Sequence, residues 1–144
     1  MYTAKQSISI VAPRTKVWEA LTKPELVKKY FFGTTVESNW KKGDPIKFTG
    51  EWDGKQYEDK GVVIDIEKDK LLKYSYYSSW SGKPDLPENY HYVTYLLNDL
   101  GGSTVFVVEQ EGLETEEAKE HTEKNWASIM QDLRKLLEEN QSKY

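Results

Sequence analysis

The sequence has no cysteine, only two methionines and only two histidines. Without cysteine there can be no disulfide scaffold, no thiolate zinc site and no thiol nucleophile. No window approaches 18 uninterrupted apolar residues, so no membrane-spanning helix is expected. Residues 1–14 lack a basic start followed by a long apolar run, so they do not read as a signal peptide. Together these absences predict a soluble, cytoplasmic protein. Positive charge is not in surplus either: 20 basic residues face 24 acidic ones, for a formal net charge of −4. A dedicated nucleic-acid binder shows a basic face. The close pairs Lys28-Lys29 and Lys41-Lys42 read instead as solvated surface, and no nucleic-acid partner is expected.

What is present is aromatic. Aromatic residues make up 13% of the chain, with 5 Trp and 10 Tyr against 4 Phe. Trp and Tyr join a large apolar body to one polar tip. Such a surplus fits a core or cavity that is apolar yet able to hydrogen-bond. At 144 residues the chain is expected to form one domain, spanning 1–144, and can bury a core without staples.

The strongest periodic signal is near the end. Trp126, Ile129, Met130, Leu133, Leu136 and Leu137 trace one stripe at helical spacing over Thr115 to Asn140. Thr115 is the expected N-cap, and Glu116, Glu117 and Glu120 put negative charge at the positive end of the dipole. A helix this long with one apolar side needs a broad apolar surface beneath it.

The preceding chain supplies strands. Residues 3 to 11 alternate, with Ile8 and Ile10 on one face. Pro13 leads into a short helix over Arg14 to Thr22, with Thr15 as its cap and a stripe of Val17, Trp18 and Leu21. Thr22 and Pro24 start a second short helix carrying Leu26, Val27, Tyr30 and Phe31. Helices this short need the sheet to pack on. Strands are then expected at Thr34 to Trp40, Ile46 to Trp52, Gln56 to Glu67, Leu71 to Trp80, Tyr90 to Asn98 and Ser103 to Glu111. Asp53-Gly54 is a strong hairpin signal. In the third of these strands Val62, Ile64 and Ile66 share a face, and in the fourth Leu72, Tyr74, Tyr76, Ser78 and Trp80 do. Tyr90 to Asn98 offers two faces, Tyr90/Tyr92/Thr94/Leu96 and His91/Val93/Tyr95/Leu97. Ser81 to Asn89, with Gly82, Pro84 and Pro87, is the longest loop and a candidate mobile flap. Short turns between successive strands imply an antiparallel meander, and with the terminal helix an α+β layer arrangement.

In this order the chain resembles the START-like, helix-grip (SRPBCC) superfamily, and within it the group related to the carboxy-terminal domain of the activator of heat shock protein 90 ATPase. The resemblance rests on Ile8 to Pro13, then Val17 to Leu26, Gly61-Val62-Val63, Leu71 to Tyr74, Val93 to Leu96, Gly102-Ser103-Thr104, Gln110-Glu111-Gly112, and Trp126 with Leu133. It covers residues 5 to 138. Asn125 stands where relatives commonly have glycine. The eukaryotic activator also has a separate amino-terminal domain that engages the chaperone, which this resemblance does not include. The fold implied is a curved antiparallel sheet of about six to seven strands wrapped round a long C-terminal helix, with two short helices after strand one. The superfamily holds hydrophobic small molecules, lipids among them, between helix and sheet, and includes cyclases. The group's name implies a chaperone, and with it a stress response, as a second class of partner.

Few residues suggest chemistry. His91 and His121 belong to no metal-ligand spacing, so no metal is expected. There is no phosphate-binding glycine loop and no nucleophile elbow, and no cofactor is implied. Asp65, Glu109 and Glu111 lie on strands and, with His91, are the candidates for acid–base work if a cyclase or hydratase activity exists. The stronger signal is the aromatic band. Tyr74, Tyr76, Trp80, Tyr90 and Tyr92 on adjoining strands, with Trp18, Trp126, Met130 and Leu133 from the helices, are expected to line a cavity for a small hydrophobic or aromatic ligand. That reading expects binding without catalysis.

Overall fold

The computed structural model describes residues 1–142, with side chains through Glu139, so the end of the expected 1–144 domain lies outside the described residues. The elements are β1 (Tyr2–Ile10), α1 (Arg14–Thr22), α2 (Pro24–Tyr30), β2 (Thr35–Ser38), β3 (Pro45–Trp52), β4 (Lys55–Glu67), β5 (Leu71–Tyr76), β6 (His91–Asp99), β7 (Thr104–Leu113) and α3 (Glu116–Ser142). The strands form one seven-stranded sheet in the order β1-β7-β6-β5-β4-β3-β2, every pairing antiparallel. This is the helix-grip arrangement that the resemblance implies.

The long helix begins and faces as its sequence dictates. The Thr115 hydroxyl accepts from the Ala118 amide at 3.0 Å, which satisfies one orphan donor of the first turn. Trp126, Ile129, Met130, Leu133 and Leu137 are buried, and Leu136 packs at their margin. Asn125 is exposed, so its side chain does not intrude between helix and sheet. The helix lies chiefly along β1 and also covers that strand's open edge. The Glu123 carboxylate accepts from the Lys5 amide and the Glu138 carboxylate from the Val11 amide, both at 2.9 Å. Edge amides that would otherwise be free to pair with another chain are thereby occupied. At the opposite edge β2 has four residues, too short to template much pairing.

The short helices are not capped as expected. Pro13 and Lys23 occupy the cap positions, and neither α1 nor α2 has a side-chain cap bond. Thr15 lies within the first turn, and the Thr22 hydroxyl donates back to the Trp18 carbonyl at 2.9 Å. Proline at the start of α2 supplies the pre-set φ instead.

Two strands differ from the alternation read off the sequence. In β4 the inward residues are Asp59, Gly61 and Val63, and Val62 is exposed. A bulge between Val63 and Asp65 then reverses the phase, so that Ile66 turns toward the core opposite Leu72. In β6 the inward face is Val93, Tyr95 and Leu97, while Tyr92 and Leu96 are exposed.

Candidate functional site

The interior is a column of rings between the concave face of the sheet and the helices. Tyr74 on β5 and Tyr95 on β6 are both buried, and their hydroxyls hydrogen-bond to each other at 2.8 Å. Tyr95 meets Phe106 and Trp126 edge-on at 5.4 and 5.8 Å. Phe31, which follows α2, stacks on Phe48 at 6.3 Å and meets Trp126 edge-on at 5.8 Å. The Tyr30 hydroxyl donates to the Ala20 carbonyl at 2.6 Å, joining the two short helices. Burial pushes the phenols of Tyr30, Tyr74 and Tyr95 upward, so all three remain protonated. Among the described residues no buried side-chain polar atom lacks a partner. These rings leave a void of about 10 Å³, walled by Tyr30, Phe31, Trp40, Phe48, Tyr74 and Tyr95 among others. Room for a water begins at roughly that volume. The expected cavity is, in this conformation, filled by side chains.

Of the expected lining residues, Trp18, Tyr74, Trp126, Met130 and Leu133 are buried in the core, and Tyr76 is partly buried beside Phe48 at 5.9 Å. The other three are not part of the interior band. Tyr92 lies on the outer face of β6 beneath the Lys73 ammonium, and Tyr90 packs at a tilt against Tyr77 at 5.4 Å, also outside. Trp80 is beyond the end of β5 and about half exposed, at 49%. The rings that take their places are Tyr95, Tyr30, Phe31 and Phe48. For β6 a signal was available: the His91/Val93/Tyr95/Leu97 face carries two aliphatics where the other carries one aliphatic and a threonine.

The ring column reaches solvent at one end, which we call the mouth. Phe31 contacts Phe32 at 6.2 Å, and Phe32 meets Trp52 edge-on at 6.1 Å near the tip of the β3–β4 hairpin. Phe32 and Trp52 are 51% and 59% exposed. Phe32 holds φ at 54°, a left-handed conformation unusual for so large a side chain. Tyr57 on β4 lies flat across β3. A Cβ on Gly50 would sit 2.5 Å from its hydroxyl, so only glycine leaves it this bed. That hydroxyl hydrogen-bonds Thr34 at 2.5 Å, and the ring meets Trp80 edge-on at 5.3 Å. A separate open groove of about 450 Å³ borders β2 between Pro24, Glu37, Ser38, Trp40, Pro45 and Lys47.

The candidate acid–base residues do not gather. Asp65 is exposed and accepts from the Ile66 amide, Glu109 pairs with Lys5 at 3.5 Å on the outer face, and Glu111 is exposed. His121 is exposed on α3. His91 is partly buried, and its Nδ1 accepts from Gln110 at 2.8 Å. Among the described residues the buried carboxylate is Asp59, a position the sequence did not single out. Tyr76 donates to it at 2.6 Å, and the Ser79 amide and hydroxyl donate at 2.9 and 3.2 Å. The loop after β5 is tied down from several sides. Tyr77 donates to the Lys83 carbonyl, Lys60 pairs with Asp85 at 2.5 Å, and Lys83 pairs with Glu114. Among the described residues no three His, Asp or Glu side chains are placed to share a metal, and no helix is long and apolar enough to cross a membrane.

Comparison with known proteins agrees with this architecture. The model of the family described as activator of Hsp90 ATPase homolog 1-like protein matches residues 11–138. A protein from Cytophaga hutchinsonii, solved in solution, is 46% identical with a TM-score of 0.86, over 99% of this chain and 97% of its own. A Mesorhizobium loti protein solved by X-ray crystallography is 22% identical with a TM-score of 0.78, over 96% and 98%. The Aha1 dimer from Colwellia psychrerythraea, also a solution structure, is 19% identical with a TM-score of 0.74, over 95% and 96%. No curated protein matches. With the match running from the end of β1 through most of α3, the chain belongs to the activator of Hsp90 ATPase homolog 1-like family, within the START-like, helix-grip superfamily.

Proposed function

We propose that the protein binds a small hydrophobic or aromatic molecule between the sheet and α3, without catalysing a reaction on it. The observation that supports this reading is the continuous path of ring contacts from buried Tyr95 through Trp126, Phe31 and Phe32 to exposed Trp52. Exposed large aromatics joined to an apolar interior favour ligand capture, because each ring that covers a ligand also removes its own surface from water. With the interior closed, binding proceeds by displacement of the rings at the mouth, Phe31 and Tyr57 first. Of the acid–base candidates, Asp65, Glu109 and Glu111 are turned away from the column, which favours binding over turnover. Native mass spectrometry of gently purified protein, followed by denaturing extraction, tests the proposal. A stoichiometric apolar molecule is the expected finding. Apo protein that also fails to bind an environment-sensitive apolar dye would overturn it.

A second reading follows from the family's description: an interaction module for a chaperone. The exposed Phe32–Trp52 pair would then be a docking contact. Co-purification of a chaperone, with loss of capture in Trp52→Ala, is its expected signature. No capture and no effect on the chaperone's ATPase would rule it out.

A further inference from the structure

Asp59 is 8% exposed. Among the described residues no lysine, arginine or histidine nitrogen lies within ion-pair reach of it. The nearby lysines are committed elsewhere, Lys47 to Glu58 at 3.2 Å and Lys60 to Asp85 at 2.5 Å. Its three hydrogen bonds come from neutral donors, the Tyr76 hydroxyl and the amide and hydroxyl of Ser79. They ease the loss of water but do not neutralise the charge, and a buried carboxylate without a counter-charge is costly.

The residues around Asp59 run from the interior out to the mouth. Phe48 is its cross-strand partner on β3, and Tyr57 precedes it by two on the same face of β4. Ser79 leads directly to Trp80, whose ring meets Tyr57 at 5.3 Å. An anion is therefore set at the inner end of an aromatic lining whose outermost ring, Trp80, is half exposed. Aromatic faces attract cations through their quadrupoles, and a carboxylate adds full charge to that attraction. Three of the roughly four lone-pair positions of the carboxylate are already used. That leaves it suited to a cation with one N–H or none, not to a multiply donating guanidinium.

We propose that the mouth takes a small organic cation of the tertiary or quaternary ammonium class, with Asp59 as its counter-charge and Tyr57 and Trp80 as its aromatic contacts. This rests on the reading of the mouth as the ligand entrance and narrows the ligand's class.

The test uses choline and 3,3-dimethylbutan-1-ol, which differ by a charged nitrogen in place of a neutral carbon. The full chain is titrated with each at low salt, and the tryptophan indole resonances are followed by NMR. Choline is expected to bind at least tenfold more tightly, and Asp59→Asn to abolish that preference. If Asp59→Asn does not fold, Trp80→Ala serves instead, since its site is exposed. It is expected to weaken choline binding about tenfold, while Tyr92→Ala on the outer face leaves it unchanged. Equal affinity for the two probes overturns the inference and leaves the proposed apolar binding standing. A preference that survives Asp59→Asn, or choline binding that ignores Trp80→Ala, overturns it too.

Discussion

The indole Nε1 of Trp126 donates to Gln110 Oε1 at 2.9 Å, and this one bond decides the state of a histidine on another strand. An indole N–H only donates, so the Gln110 oxygen must face α3 and its amide nitrogen must face away. That nitrogen lies 2.8 Å from His91 Nδ1. Because an amide NH₂ also only donates, His91 must accept at Nδ1 and hold its proton on Nε2. Protonating Nδ1 sets two donors face to face. Turning the amide over moves the same conflict to Trp126.

A pH dependence follows. His91 is pushed below the ordinary histidine value by burial first and then by the nearby Lys83 charge, against a smaller opposing pull from Glu114. A lowered native value means that the unfolded chain binds the proton more readily. The contribution is therefore intact above about pH 6.5, the unperturbed histidine value. It declines as pH falls through that value toward the lowered native one. Thermal midpoints measured between pH 7.5 and 5 are expected to fall, and the fall should shrink in His91→Gln. The Trp126 indole resonance, assigned with Trp126→Phe, should shift over the same interval in the parent chain only. An unchanged pH profile in His91→Gln would refute the linkage.

Gly61 and Gly50 share the concave face, but they differ in what blocks a side chain. At Gly61 a Cβ would fall 1.6 Å from the Ser75 carbonyl oxygen, which is sheet backbone and cannot move aside. At Gly50 the obstacle is the far end of the Tyr57 side chain. Gly61→Ala is expected to cost about 3 kcal/mol or more, or to prevent folding. Gly50→Ala is expected to cost only about 1 kcal/mol, mainly the lost Tyr57–Thr34 bond. It should also swing Tyr57 off its bed and speed ligand exchange at the mouth. Chemical denaturation of the two variants distinguishes the cases, and similar losses would show that the Gly61 approach is not rigid.

Leu133 tests the seam between α3 and the sheet. It is fully buried, whereas Leu136 lies at the margin. Leu133→Ala is expected to cost about 2–5 kcal/mol through lost burial and the cavity left behind. Leu136→Ala should cost clearly less, because solvent can close over its site. Equal losses would mean that the stripe is not the main seam.

These contrasts show what could be read in advance. The α3 stripe was legible because a helix's period depends on its own residues alone. Strand facing depends on partners. In β6 both faces carry aromatics, and choosing Tyr92 over Tyr95 exchanges interior for exterior in one step. In β4 the bulge near Ile64 reverses the phase midway, which no uniform alternation can reveal. β5 ends at Tyr76, short of the Trp80 to which the sequence alternation extends it, because the Ser78 hydroxyl accepts from the Trp80 amide and Ser79 is drawn to Asp59. Tyr30 and Phe31 were legible as a helix stripe. Their role in filling the interior depends on where α2 sits, a long-range property.

The Tyr74–Tyr95 hydroxyl pair gives the sharpest test of how the interior is closed. Both rings are buried, and their oxygens lie 2.8 Å apart. Removing one hydroxyl leaves the other buried without this partner, so Tyr74→Phe or Tyr95→Phe alone is expected to cost about 1–3 kcal/mol. Removing both discards the polar groups together and leaves an apolar contact of nearly the same shape. The double variant is therefore expected to be little less stable than either single one, far short of additivity. If a ligand displaces these rings and takes over their hydrogen bonds, the doubly substituted protein should also bind polar-tipped aromatics less well than purely apolar ones. Additive losses in urea denaturation would show that water already reaches this pair, and that the interior is more open than its packing implies.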